Sequence, residues 1–347
     1  MQNKRYILSD GKGTNYLALQ GKVSRGAIYS EKLEKFIEVW SQEMSYEKLS
    51  RLIEEVSGNR HLTSGGVKSY LERKAVKVSE EWVEGSIYSG EILGIKEEIK
   101  IYEKEEKEII LFMDDVGVKA QKPKKGVERK ETDAKRIENT VAMVQAPNGD
   151  YHYLTEGINK KGETIYPINM GIGNTVKKLY KEENELPIVA ITDGARSIRI
   201  VLQSIFGALV FVILDWYHLQ HKIQNIMSMM VWNKKDKELH YNTICNLLWH
   251  GKVEETIEYI RSMVGIKNIL KQQELLGYLE KHKHEIIDYQ RRQEVGKTIG
   301  SGRGEKANDQ VVARRQKKKG MSWAKSGSKS LAILKVYSLQ KQLKQTA

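Results

Sequence analysis

Three uninterrupted apolar runs stand out along the chain, and each ends on an aspartate. Ile109-Ile110-Leu111-Phe112-Met113 runs into Asp114-Asp115, Leu186-Pro187-Ile188-Val189-Ala190-Ile191-Thr192 into Asp193, and Ala208 to Leu214 into Asp215. Runs of this length without polar alternation predict short strands buried on both faces; the second and third deliver a carboxylate at the tip, whereas Val116 and Val118 alternate beyond the first, a central strand with its carboxylate planted in it. Two further strand-like runs, Thr140–Val144 and Tyr151–Leu154, flank Pro147-Asn148-Gly149-Asp150, and Asn-Gly between such runs predicts a hairpin. A helix is expected from about Met170 to Glu182. Another follows Asp193, where Ile198, Val201, Leu202 and Ile205 recur at helical spacing. The order is three strands, a helix, a strand, a helix and a strand. The first three would be antiparallel and the last two would add in parallel through helical crossovers. This predicts an α/β protein with a ribonuclease-H-like core.

Helical periodicity dominates on either side of that core. Residues 1 to about 30 show no period and read as an irregular arm. Leu33, Phe36, Ile37 and Trp40 share one face of a first helix; Leu49, Leu52, Ile53 and Val56 share one face of a second, which Gly58 would stop. Thr63 would cap a third helix carrying Val67, Tyr70 and Leu71, with Lys68, Arg73 and Lys74 toward its polar side. The last two helices resemble a helix-turn-helix, in which Lys68 and Arg73 would face DNA, although a generic three-helix module explains the same pattern. Stripes such as Ile223, Ile226, Met229 and Met230, or Val253, Ile257 and Ile260, make the stretch after Leu219 an all-α insertion. The expected division is an N-terminal helical region (1–76), a Glu/Lys-rich connector (77–108), a first part of the core (109–218), the insertion (219–298), and a final core helix with a basic end (299–347).

Charge narrows the partners. With 58 Lys and Arg against 45 Asp and Glu, the net charge of +13 favours an acidic polymer, because cations that neutralise phosphates release counterions. No apolar run approaches the ~20 residues of a membrane span, so no membrane partner is expected. A lone Cys245 excludes an internal disulfide, and a cytoplasmic, nucleoid-associated location is the default. Two basic segments suit phosphate contact: the loop 119–136 and the run Arg314, Arg315, Lys317, Lys318 and Lys319. Trp323 beyond the second could stack on DNA, whereas a solvated helix and tail is the plain alternative. Gly300, Gly302 and Gly304 lead into Glu305 without the Gly-Lys-Ser/Thr of a P-loop, which argues against nucleotide hydrolysis.

Strand-end aspartates and a helix-opening glutamate are hard oxygen donors of the kind Mg²⁺ prefers, and clustered carboxylates repel one another without a cation. Asp193 taken alone could equally be a helix N-cap. Taken together, Met113-Asp114-Asp115-Val116-Gly117-Val118, Ile191-Thr192-Asp193-Gly194-Ala195, Asp215-Trp216-Tyr217-His218 and Ile299-Gly300-Ser301-Gly302-Arg303-Gly304-Glu305 resemble the successive motifs of DDE transposases. The nearest pattern is that of the bacterial insertion-sequence ISKra group, related to the ISLre group and to Mutator-like elements. The stretch from Arg314-Arg315 to Gly320-Met321-Ser322-Trp323 is similar to that group's C-terminal signature. The resemblance implies that Asp114, Asp193 and Glu305 form a catalytic, metal-binding triad for two Mg²⁺ ions, with Mn²⁺ as substitute. Asp115 is the alternative to Asp114. Asp215 and His218 match an Asp-x-x-His feature near the site. It also implies double-stranded DNA as substrate, at element ends and target, and a homodimer or higher oligomer on it. Cleavage and strand transfer would need no covalent protein intermediate. A structure-selective nuclease on the same fold, and an inactive transposase retained as a DNA-binding protein, are the competing readings.

Overall fold

The computed structural model describes residues 29–58, 62–90, 99–122, 135–179, 186–207, 209–231, 233–318 and 320–346. At its centre lies a mixed five-stranded sheet formed by β1 (Ile109–Lys119), β2 (Arg136–Gln145), β3 (Tyr151–Thr155), β6 (Ile188–Thr192) and β7 (Val210–Leu214). A separate two-stranded hairpin consists of β4 (Gly157–Ile158) and β5 (Thr164–Tyr166). The strand order is β3-β2-β1-β6-β7. β1, β2 and β3 pair antiparallel, while β6 joins β1 and β7 joins β6 in parallel. This α/β arrangement is compatible with a ribonuclease-H-like core. The β2–β3 turn closes at Asn148-Gly149, where Gly149 takes a positive φ of 94° and its N–H donates to Ala146 O at 2.9 Å.

The unbroken apolar runs follow from burial on both faces. Along β1, Ile109, Leu111 and Met113 pack with α4 (Ile168–Leu179) and α5 (Arg196–Phe206), whereas Ile110 and Phe112 join the larger core on the other side. That larger core takes in α6 (Trp216–Met230) and the C-terminal helices. α11 (Gly302–Asn308) continues through a π-helical turn, Asp309–Ala313, into α12 (Arg314–Gln316), and α13 (Lys325–Thr346) follows. The stretch after α6 is helical as expected: α7 (Lys234–Trp249), α8 (Val253–Ser262), α9 (Ile269–His282) and α10 (Tyr289–Glu294).

These helices are tied to the sheet by polar contacts as well as apolar ones. Leu214 N–H donates to Glu285 O, and the Tyr289 hydroxyl donates to Leu214 O at 2.8 Å. Arg292, wholly buried, donates to both Glu108 carboxylate oxygens just ahead of β1 and to Ile101 O, and Lys297 also reaches Glu108.

The N-terminal region comprises α1 (Glu31–Trp40), α2 (Tyr46–Ser57) and α3 (Ser64–Glu84), with Ser30, Ser45 and Thr63 as side-chain caps. α3 extends to Glu84, well into the stretch expected to be a connector, because Ala75, Val76, Val78 and Ser79 are buried there. It lies along α13, and its Ser79 hydroxyl accepts from Ile158 N–H of the β4–β5 hairpin. Among the described residues no helix is long and apolar enough to cross a membrane.

Candidate active site

The sheet topology brings Asp114 and Asp193 together. Parallel pairing of β1 with β6 ends at Phe112 opposite Ile191, and each aspartate lies two residues further along its strand. β1 alternates its side chains, so Asp114 and Asp115 leave on opposite sides. Asp114 lines a cleft with Thr192, Asp193, His218, Ser301, Glu305 and Asn308. Asp115 turns away, accepts a hydrogen bond from the Thr140 hydroxyl at 2.6 Å, and borders a different depression. The cleft holds about 50 Å³, space for only a few water-sized species.

Glu305 arrives on α11, which rests on β1 at its narrowest point: a Cβ at Gly304 would stand 2.9 Å from the Phe112 Cβ. Only a glycine permits that approach. One turn after Glu305, on the same helix face, the Asn308 side-chain amide donates to Asp114 Oδ2 at 2.6 Å. Asp114 Oδ1 accepts from the Asp115 N–H at 2.7 Å, and Asp193 Oδ1 from the Ala195 N–H at 2.8 Å. Asp193 is therefore not the cap of α5, since the N-cap position belongs to Ala195.

Asp215 has a different part. It is buried, caps α6 by accepting from the Tyr217 and His218 N–H groups at 2.6 and 3.0 Å, and also accepts from Ser301 N–H at the start of α11. Burial alone would raise its carboxyl, but the hydrogen bonds from His218 and Ser301 prevail and hold it down to about 2. His218 Nδ1 lies 3.5 Å from Asp215 Oδ2, and this contact raises the imidazole above its ordinary value, with the charges of Glu305 and Asp193 acting the same way. Asp114 is raised by burial and then by the nearby charges of Asp193 and Asp115. The Asp115 N–H opposes this rise, and the repulsion from Asp193 and Asp115 adds to it, so a cation would be stabilising there.

The donor set is chemically suited to a hard divalent cation. Among the described residues, however, no three His, Cys, Asp or Glu side chains stand close enough to hold a metal ion in their present rotamers.

Sequence reasoning missed Asn308, Ser301 and a partly buried network behind Asp193. In that network Arg199 of α5 donates to Glu285 Oε2 at 2.8 Å and contacts His282 Nδ1 at 2.5 Å, and His282 packs against Gly194. The three-residue spacing from Glu305 was the one available signal for Asn308; nothing local links residues 199, 282 and 285.

The basic positions separate into two sets. Lys68 is half-buried within reach of Glu72, while Arg73, Arg314, Lys317 and Lys318 are exposed, Arg314 and Lys318 leaning on Glu43. Arg315 and Trp323 do not fit a DNA-contacting role. Both are buried: the guanidinium lies over the indole ring at 4.9 Å and donates to Ser41 O, and the indole N–H donates to Gln316 O. Lys319 and most of the basic loop 119–136 lie outside the described residues.

No protein-family model matches the chain, and no curated protein does. Among solved structures, one similar chain is from the Drosophila P element transposase strand transfer complex, with a TM-score of 0.28 and 9% identity over 93% of this chain and 82% of that one.

Proposed function

We propose that this protein is a DDE transposase whose Asp114, Asp193 and Glu305 bind divalent metal for cleavage and strand transfer on DNA. The carrying observation is that three carboxylates from distant segments line one small cleft where the parallel pairing of β1 and β6 ends, with His218 beside them. The sequence motifs and the net charge of +13 support the same reading. Mg²⁺ bound there would activate a water or a 3′ hydroxyl and stabilise the leaving oxygen in an in-line displacement. The chain's own residues would do the rest. Asp215 fixes the starts of α6 and α11 relative to one another, so that His218 and Glu305 face the same phosphate. Asn308 orients Asp114, as outer-shell partners of metal-binding carboxylates do. The protonated His218, favoured by Asp215, presents positive charge to a phosphate oxygen.

The test is Mg²⁺- or Mn²⁺-dependent cleavage and joining of labelled DNA carrying the element's own end. Glu305→Gln is expected to bind this DNA as wild type does but to lose cutting and joining by at least about 100-fold, in line with the loss of a ligand that stabilises the transition state. A wild-type protein that cuts without joining would make it a nuclease. The spacing of these side chains, no three of which stand close enough to share an ion among the described residues, favours one second reading, a DNA-binding protein that keeps the triad without using it. Binding by both proteins and cutting by neither would establish that reading.

A further inference from the structure

We propose that Tyr217 is a stacking platform for an unpaired nucleobase next to the phosphate in the cleft, a substrate contact that rests on the DNA reading above. The first turn of α6 distributes three rings in three directions. Trp216 is buried against Trp249 and Tyr289, with centroids 4.8 and 4.9 Å away, and His218 enters the cleft. Tyr217 is left 58% exposed. Its chain neighbour His218 lines the cleft, as does Ser301, which follows the glycine on which the ring rests. One edge of this ring lies on Gly300, so close that a Cβ there would stand 2.5 Å from Cδ2 and 2.7 Å from Cε2. Gly300 immediately precedes Ser301, whose N–H the Asp215 carboxylate holds. The ring is thereby fixed to the same support that places Glu305, while its outer surface stays open to solvent.

The side chain's chemistry indicates the ligand. Its hydroxyl makes no hydrogen bond among the described residues, so what the position offers is an immobilised flat apolar surface. Next to a cleft for phosphate and cation, the flat partner such a surface suits is a base of the same strand. In an intact duplex the bases are already stacked on one another, so only an unpaired or displaced base can use the platform. Stacking of this kind tolerates any base.

The experiment uses the full chain with Ca²⁺ in place of Mg²⁺. The probes are a short blunt duplex and the same duplex with an unpaired 3′ tail carrying 2-aminopurine. Anisotropy reports binding, and quenching of the analogue reports stacking. Wild type should bind both probes and quench the tail. Tyr217→Ala should lose the quenching and bind the tailed probe about tenfold more weakly, with its affinity for the blunt duplex unchanged. Tyr217→Phe should behave as wild type. The proposal is overturned if Tyr217→Ala still quenches, or if it weakens both probes equally. If wild type binds neither probe, the DNA reading itself fails, a result distinct from failure of the platform alone.

Discussion

Asp215 accepts three backbone N–H groups drawn from the first turns of two helices, and this gives it a measurable signature in acid. Its folded-state value, down to about 2, is below that of an ordinary carboxylate. The stability it contributes is therefore present above the usual carboxylate range and is lost as pH falls from there toward 2. It amounts to about 2 kcal/mol. In Asp215→Asn the new amide can keep an oxygen toward Tyr217 and His218 but must then present its NH₂ to the Ser301 N–H. Denaturant unfolding should show this variant less stable at neutral pH by ~1–3 kcal/mol, with a shallower loss of stability below pH 4 than wild type. All three aspartates were visible in the sequence as one pattern, each ending an apolar run. Their division into two cleft carboxylates and one buried cap was not, because it depends on Ser301, far away in the chain. The choice between Asp114 and Asp115 was closer to legible, since alternation along β1 allows only one of them to face Glu305.

Elements that bury one stripe or both sheet faces were readable; elements enclosed on several sides were not. β1, β6 and β7 announced themselves through unbroken apolar runs, and the β2–β3 hairpin through Asn148-Gly149. α13 had no such signal. Leu331, Ala332, Ile333, Leu334 and Val336 are all buried, so the helix carries apolar residues around its circumference and has no single-face period. Trp323 was misleading for a related reason. A basic run ending in tryptophan suits nucleic acid, yet the segment pairs beside the end of β1, through Trp323 N–H to Lys119 O and Gln121 N–H to Trp323 O. For α11 the decisive feature is its closeness to β1. Gly304→Ala would drive a methyl group into Phe112 and lift the helix, at about 1–3 kcal/mol of overpacking. The expected result is a lowered thermal midpoint, together with a fall in metal-dependent cleavage larger than any fall in DNA affinity, because Glu305 adjoins the displaced residue while the exposed basic positions lie beyond the π-helical turn.

Across the whole molecule, the helices between α6 and α10 are built into the core. Glu108, Arg292 and Lys297 form a buried charged cluster joining the lead-in to β1 with the end of α10, and Glu285 and Tyr289 bond the backbone of Leu214. Periodicity alone marked this stretch as an insertion; its fastening to the sheet lies in contacts between residues nearly two hundred positions apart. Removing one member leaves the others charged and without water. Arg292→Met is expected to cost ~3–5 kcal/mol, read as a fall in the denaturant midpoint in a single cooperative transition. A first transition confined to the helices would show instead that they unfold as a separate unit.

The packing of α13 along α3 has a consequence for synthesis. α13, made long after α3, is one of its principal partners, and Gln42 ahead of α2 donates to Leu331 O within α13. At ribosomal rates of about 5–20 residues per second, the interval between the emergence of α3 and that of α13 is on the order of tens of seconds. Throughout it the apolar side of α3 and the adjoining sheet face lack their final cover. A nascent chain released early, by a premature stop within α13, would keep every cleft carboxylate and still present that uncovered surface to chaperones and proteases. Cellular abundance of this protein should therefore respond to changes in α13 as sharply as to changes at its centre.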